Sequence, residues 1–142
     1  MLKKNILIYG ATGAIGDSVL NIIRDNKDYF NVVGLTCNSN IDKLLKISNE
    51  FDCQNLGINS KFQLLNFPEL KNCNVYSGLE EFSELINNNV DIIIFAIAGS
   101  SPLRLSIDIA NSGKIVGLAN KECIICIGKQ FLDLANRAFT KI

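Results

Sequence analysis

The sequence predicts an α/β domain with a doubly wound, mostly parallel sheet and helices on both of its faces. Three observations carry that prediction. Short β-rich apolar runs alternate with stretches of helical periodicity from one end of the chain to the other. The run Ile92-Ile93-Ile94-Phe95-Ala96-Ile97 is continuously apolar, as a strand covered on both faces requires. Finally, the first apolar run leads at once into three spaced glycines, Gly10, Gly13 and Gly16, and then into a helical pattern.

The elements follow in order. Ile6-Leu7-Ile8-Tyr9 is a short strand stopped by Gly10. Ile15, Val19, Ile22 and Ile23 fall at helical spacing and predict one apolar helix face. Phe30 to Cys37 reads as a second strand, and Ile41, Leu44 and Leu45 mark a second helix with Asn40 as its N-cap. The segment from about Cys53 to Tyr76 is read as two short strands around a weak helix. Leu79, Phe82 and Ile86 suggest another helix before the polar run Asn87-Asn88-Asn89. The strand at 92–97 is followed by a helix from Pro102 to Ser112 and a strand from Ile115 to Ala119. A last helix is marked by Phe131, Leu134, Ala135 and Ala138. No internal repeat or linker interrupts the alternation, so residues 1–142 are read as one domain. In parallel sheets built this way, ligands bind at the carboxyl ends of the strands, close to where strand order reverses. The turns after Tyr9, Leu35, Ile97 and Ala119 are therefore where function is expected.

Composition narrows the function classes. Lys plus Arg equals Asp plus Glu at 14 each, and a nucleic-acid partner would call for a basic stripe. No apolar run approaches the roughly 20 residues that span a bilayer, and the N-terminus lacks a signal-peptide pattern, so no membrane partner and a cytoplasmic location are expected. The five cysteines, odd in number and spread through apolar stretches, suit reduced thiols. Cys123 and Cys126 form a Cys-x-x-Cys pair, but the chain has no histidine to complete a zinc site.

The glycine turn carries the chemistry. Glycine allows positive φ and close approach of a ligand, and the helix that follows offers unpaired N–H groups and the positive end of its dipole to a pyrophosphate. Thr12 adds a hydroxyl donor, and Ile15 is placed to pack beneath a cofactor. The turn after a first strand points to a Rossmann-like dinucleotide-binding domain, the alternative being a glycine-rich turn in a different α/β fold. The second strand should end near the adenosine ribose, where NAD-specific folds place Asp or Glu. Here Leu35-Thr36-Cys37-Asn38-Ser39-Asn40 holds no carboxylate, which leans towards NADP, though no Lys or Arg appears before Lys43.

The turn, the segment Ala96-Ile97-Ala98-Gly99 and above all Leu118-Ala119-Asn120-Lys121-Glu122 together resemble the 1-deoxy-D-xylulose 5-phosphate reductoisomerase family. That family makes 2-C-methyl-D-erythritol 4-phosphate in non-mevalonate isoprenoid biosynthesis, using NADPH and a divalent metal, Mg²⁺ or Mn²⁺. The resemblance covers the whole chain and implies a role for each matching residue. Gly10, Thr12, Gly13, Ala14, Ile15 and Gly16 would form the NADPH-binding turn. Asn38, Ser39 and Asn40 would surround the adenosine 2′-phosphate. Ala96, Asn120 and Glu122 would contact the cofactor, and Lys121 would bind the sugar-phosphate substrate. Read from its position alone, Lys121 is either a donor to a substrate oxygen at a strand's carboxyl end or half of a solvated Lys-Glu pair.

This sequence departs from the family's pattern in places. Ser39 stands where many members carry a basic residue, which weakens the expected preference for NADPH over NADH. Ala14 and Cys123 each replace a common serine. The acidic metal ligands, phosphate site, lid and dimer surface of the family lie beyond Lys141-Ile142, so the chain is expected to bind cofactor without catalysing, with no catalytic or metal-ligating residue of its own. The complete enzyme is expected to be a homodimer. Exposed apolar surface is expected around Ile124, Ile125 and Ile127. Two alternatives remain: another NADP-dependent oxidoreductase with a similar first domain, such as a semialdehyde dehydrogenase or dihydrodipicolinate reductase, and a non-catalytic nucleotide-binding module.

Overall fold

The computed structural model describes residues 2–142. The first strand, β1 (Lys4–Tyr9), shows how the sequence builds a two-faced sheet. Its side chains alternate, so Ile6 and Ile8 join one buried cluster while Leu7 and Tyr9 join another on the opposite face. Helix α1 (Ala14–Asp25), strand β2 (Phe30–Cys37) and helix α2 (Ile41–Phe51) follow. Then come β3 (Asn55–Ile58), β4 (Asn74–Ser77), β5 (Ile92–Phe95), α3 (Leu103–Ala110), β6 (Ile115–Leu118) and α4 (Lys121–Arg137). The six strands lie in the order β4-β3-β2-β1-β5-β6, and every pairing is parallel. The mostly parallel sheet expected from the sequence is fully parallel, with the reversal of strand order between β1 and β5.

Helices α1 and α2 bury Leu20, Ile23, Ile41, Leu44 and Ile47 against one face. Helices α3 and α4 bury Leu105, Ile109, Phe131 and Ala135 against the other. Asn40 caps α2 as expected, its side-chain oxygen accepting from the Lys43 N–H at 3.2 Å. Tyr9 reaches through the second layer, donating its hydroxyl to the Phe82 carbonyl at 2.6 Å and stacking on the Phe82 ring. No described helix is long and apolar enough to cross a membrane.

Five local expectations are corrected. The apolar face of α1 is only in part the one read from the sequence: Ile23 is buried and Val19 packs on the core, but Ile15 and Ile22 are exposed, and Gly16 and Leu20 complete the buried stripe. The weak helix between β3 and β4 is a pair of 3-10 turns, Lys61–Asn66 and Pro68–Asn72. The helix expected from Leu79, Phe82 and Ile86 is a 3-10 segment, Leu79–Leu85, with Phe82 and Leu85 buried. Eclipsed spacing of three brings those two side chains onto one side, which an α-helix would not do as closely. The last helix starts at Lys121, well before Phe131, and breaks at Ile127, where φ is −136° and ψ 22°. The strand read over 92–97 ends at Phe95, and Ala96 continues from it by donating its N–H to the Tyr9 carbonyl.

Candidate functional site

At the carboxyl ends of β1, β2 and β5 the chain leaves a cleft of about 380 Å³. This is where a parallel sheet with a strand-order reversal is expected to bind its ligand. Gly10, Thr12 and Gly13 line one wall, Thr36, Cys37 and Asn38 another, and Ala96, Ile97 and Ala98 a third. Ser39 and Asn40 continue from Asn38 on the exposed rim. Ala14, Ile15 and Gly16 form the first turn of α1, directly behind the glycine turn.

The three glycines do different work. Gly10 has φ +84°, a backbone conformation that disfavours any side chain, and a Cβ there would lie 2.6 Å from the Ala96 carbonyl oxygen. Gly16 is fixed by space alone: a Cβ would meet the Ala11 carbonyl oxygen at 2.5 Å. Gly13 is neither strained nor crowded. Its φ is −86°, and the nearest atom to an added Cβ is the Gly10 carbonyl oxygen at 3.7 Å. Gly13 is also the N-cap of α1 with no side chain capping it. The first-turn N–H groups are therefore left to a ligand, and the space above them is open.

The turn is held from below by Thr36, which sequence reasoning did not single out. Its hydroxyl accepts from the Gly10 N–H at 2.9 Å, and its carbonyl accepts from the Ala11 N–H at 2.8 Å. The sequence signal is a hydroxyl residue closing the run Val32-Val33-Gly34-Leu35, and the structure buries it fully. Thr36→Val keeps the shape and removes the acceptor. It is expected to lower stability by about 1–3 kcal/mol, read as a shift in urea midpoint, because the Gly10 N–H loses its partner. Asn59 does comparable work on the far side, donating to the Asn38 side chain at 2.9 Å and accepting from the Leu79 N–H at 3.2 Å. Burial pushes the Cys37 thiol up to about 12, so this wall of the cleft presents a neutral group to an anion.

Asn120, Lys121 and Glu122 stand at the carboxyl end of β6, and none of them lines the cleft. Asn120 is only 2% exposed. Its amide donates to the Ile97 carbonyl at 2.6 Å and the Gly99 carbonyl at 3.0 Å, while its oxygen caps α4 by accepting from the Cys123 N–H at 2.7 Å. The side chain is thus spent on joining two loops, and its main chain is what remains for a ligand. Asn120→Ala leaves two carbonyls and a helix end unpaired. It is expected to cost about 3 kcal/mol, measured by thermal or urea unfolding. Lys121 is exposed at the first position of α4, and Glu122, half-buried, follows it.

A family model described as 1-deoxy-D-xylulose 5-phosphate reductoisomerase matches residues 6–128, the span that holds the cleft and all but the first two residues of the sheet. The chain belongs to this reductoisomerase family. It is 32% identical to the reductoisomerase of Nitrobacter winogradskyi over 141 residues, covering 95% of this chain and 34% of that protein. The reductoisomerase of Phocaeicola vulgatus is 30% identical, covering 99% of this chain and 38% of its own length. The chain thus spans about a third of the length of the curated relatives it matches. Among solved structures, the Zymomonas mobilis reductoisomerase in complex with NADPH superposes with a TM-score of 0.90 at 26% identity, covering 99% of this chain and 38% of that one. A DOX-P reductoisomerase in complex with NADPH, fosmidomycin and magnesium gives 0.86 at 30% identity, over 96% of this chain and 35% of that one. Homoserine dehydrogenase from Thiobacillus denitrificans, at 19% identity and a TM-score of 0.62, shares the fold alone.

Membership of the reductoisomerase family sets aside the semialdehyde dehydrogenase and dihydrodipicolinate reductase readings. The candidate residues fall into two groups within the fold. Gly10, Thr12, Gly13, Asn38 and Ala96 share the cleft, while Asn120, Lys121 and Glu122 occupy the neighbouring loop and helix start. Among the described residues, no three His, Cys, Asp or Glu side chains are grouped to hold a metal ion.

Proposed function

We propose that residues 1–142 act as the NADPH-binding domain of a 1-deoxy-D-xylulose 5-phosphate reductoisomerase. The observation that carries this reading is the cleft beside the uncapped start of α1, with open space above Gly13. A pyrophosphate fits there because the N–H groups and the helix dipole meet it without a competing side chain. In this reading Gly10, Thr12, Gly13, Ala14, Ile15 and Gly16 hold the phosphates and nearby ribose. Asn38, Ser39 and Asn40 hold the adenosine end. Ala96 and the main chain of Asn120, with Glu122, border the nicotinamide side, and Lys121 faces the sugar-phosphate substrate.

When bound, the nicotinamide supplies the hydride for the reduction. The chain's own residues bind and orient. Thr36 fixes the glycine turn, Asn59 fixes the Asn38 loop, and Asn120 sets the Ile97–Gly99 loop against the start of α4. The apolar side chains of Ala96, Ile97, Leu79 and Phe82 line one side of the cleft and would shield a bound dinucleotide from water. Among the described residues, no three His, Cys, Asp or Glu side chains are grouped to hold a divalent metal. The magnesium-bound relatives support metal use by the complete enzyme, which we propose to be a homodimer. A cytoplasmic setting is supported by the five free cysteines.

Titration of the chain with NADPH, followed by nucleotide fluorescence, tests this reading. Saturable binding at one site per chain is the expected result. Absence of any saturable binding, with the chain folded by circular dichroism, overturns it.

A further inference from the structure

A 2′-phosphate carries close to two negative charges, and a cation beside it is its strongest partner. Among the described residues lining the cleft there is no Lys or Arg, and Ser39 on its rim brings no charge. The cation tied to this region is Lys43, in the first turn of α2. Its ammonium donates to the Thr12 carbonyl at 3.0 Å and lies 2.8 Å from an Asp17 carboxylate oxygen. Thr12 lines the cleft, and the N–H of Lys43 itself is held by the Asn40 cap. The lysine therefore spans the two segments that flank the adenosine end, the glycine turn and the 38–40 loop.

We propose that Lys43 sets the preference for a 2′-phosphorylated dinucleotide, with Asp17 holding the ammonium when no phosphate is present. This inference rests on the proposed cofactor site. The exchange is favourable on elementary grounds. Asp17 is half exposed, so its ion pair is screened by solvent and weakly held. The Thr12 carbonyl is a neutral acceptor, and a dianionic phosphate is a stronger partner than either. The four-carbon stem of lysine lets the charge move without moving α2. With NADH, a hydroxyl replaces the phosphate and the ammonium stays on Thr12 and Asp17.

The test is a fluorescence titration of the chain with NADPH and with NADH, comparing the parent with Lys43→Met, Lys43→Arg and Asp17→Asn. Lys43→Met is expected to weaken NADPH binding about tenfold and NADH binding by no more than about twofold. Lys43→Arg should keep the preference, and Asp17→Asn should raise it by freeing the ammonium. Equal weakening of both nucleotides by Lys43→Met, or no change in either, overturns the assignment and leaves Lys43 as a brace between α1 and α2. An unchanged or lowered preference in Asp17→Asn also counts against it, even where the lysine variant fails to fold. Failure of the parent to bind either nucleotide overturns the cofactor reading itself, so the two failures are distinct.

Discussion

Gly16→Ala is expected to lower the stability of the chain by about 3 kcal/mol or more, and its melting temperature by about 10 °C. The cause is steric. A Cβ at Gly16 would lie 2.5 Å from the Ala11 carbonyl oxygen, 2.6 Å from its carbon and 2.6 Å from the Gly10 carbonyl oxygen. All three atoms belong to the backbone, so no side chain can swing away. Relief requires the start of α1 to lift from the end of β1, where Ala11 and Leu20 are fully buried. A densely packed interior resists that shift. Helix propensity pulls the other way, since alanine is favoured over glycine by roughly 1 kcal/mol in a helix. A melting temperature that stays the same or rises would mean that α1 seats differently on the sheet.

Gly13→Val should do the opposite: abolish nucleotide binding and leave the fold intact. At Gly13 the backbone is in an extended conformation open to any residue, and an added Cβ meets nothing closer than 3.7 Å. Loss of the glycine N-cap costs less than about 1 kcal/mol. The isopropyl group, however, occupies the space above the α1 N-terminus where the pyrophosphate is proposed to sit. A loss of NADPH affinity of about 100-fold or more is expected, with the melting temperature changed by only a few degrees. Titration and thermal unfolding of the same sample check both halves. Retained binding would move the phosphate site away from this turn. Unfolding of the variant would assign Gly13 to structure, alongside Gly16.

The pair of substitutions also marks how far the sequence was legible. Glycines at 10, 13 and 16 announced the turn, but spacing alone did not say that two of them serve the fold and only one leaves room for a ligand. The central strands β1 and β5 were readable because each is a short apolar run with alternate residues feeding two clusters, whereas Asn74-Val75-Tyr76-Ser77 is half polar and gave no sharp boundary. The 3-10 segment at Leu79–Leu85 was mistaken for an α-helix because Ile86 extends an apparent helical stripe. The buried pair Phe82 and Leu85 is spaced by three, and Tyr9 anchors it from across the core. The start of α4 was missed for the reverse reason. Between Lys121 and Gly128, Cys123 is the one buried residue, and Ile124 and Ile125 face outward, so no apolar stripe announces the helix. The N-cap Asn120 is the available signal for that start. Thr36 escaped notice because its partner Gly10 is 26 residues away in sequence, and the contact between Lys43 and Thr12 spans 31.

The position of β1 in the sheet has a consequence for how the chain is made. Its neighbours are β2, which follows within a few tens of residues, and β5, just before which Asp91 accepts from the Asn5 N–H across 86 residues of sequence. On a ribosome the first four strands emerge before β5 does, and domains form from the N-terminus as it emerges. Until β5 arrives, Ile6-Leu7-Ile8-Tyr9 is an unpaired edge, apolar on both faces, with Leu7 and Tyr9 lacking the layer that later buries them. The nascent chain is therefore most open to misassociation in the interval between synthesis of β4 and synthesis of β5. The strand that ends at the glycine turn is thus the first to be made, yet it waits for β5 before both of its edges are paired.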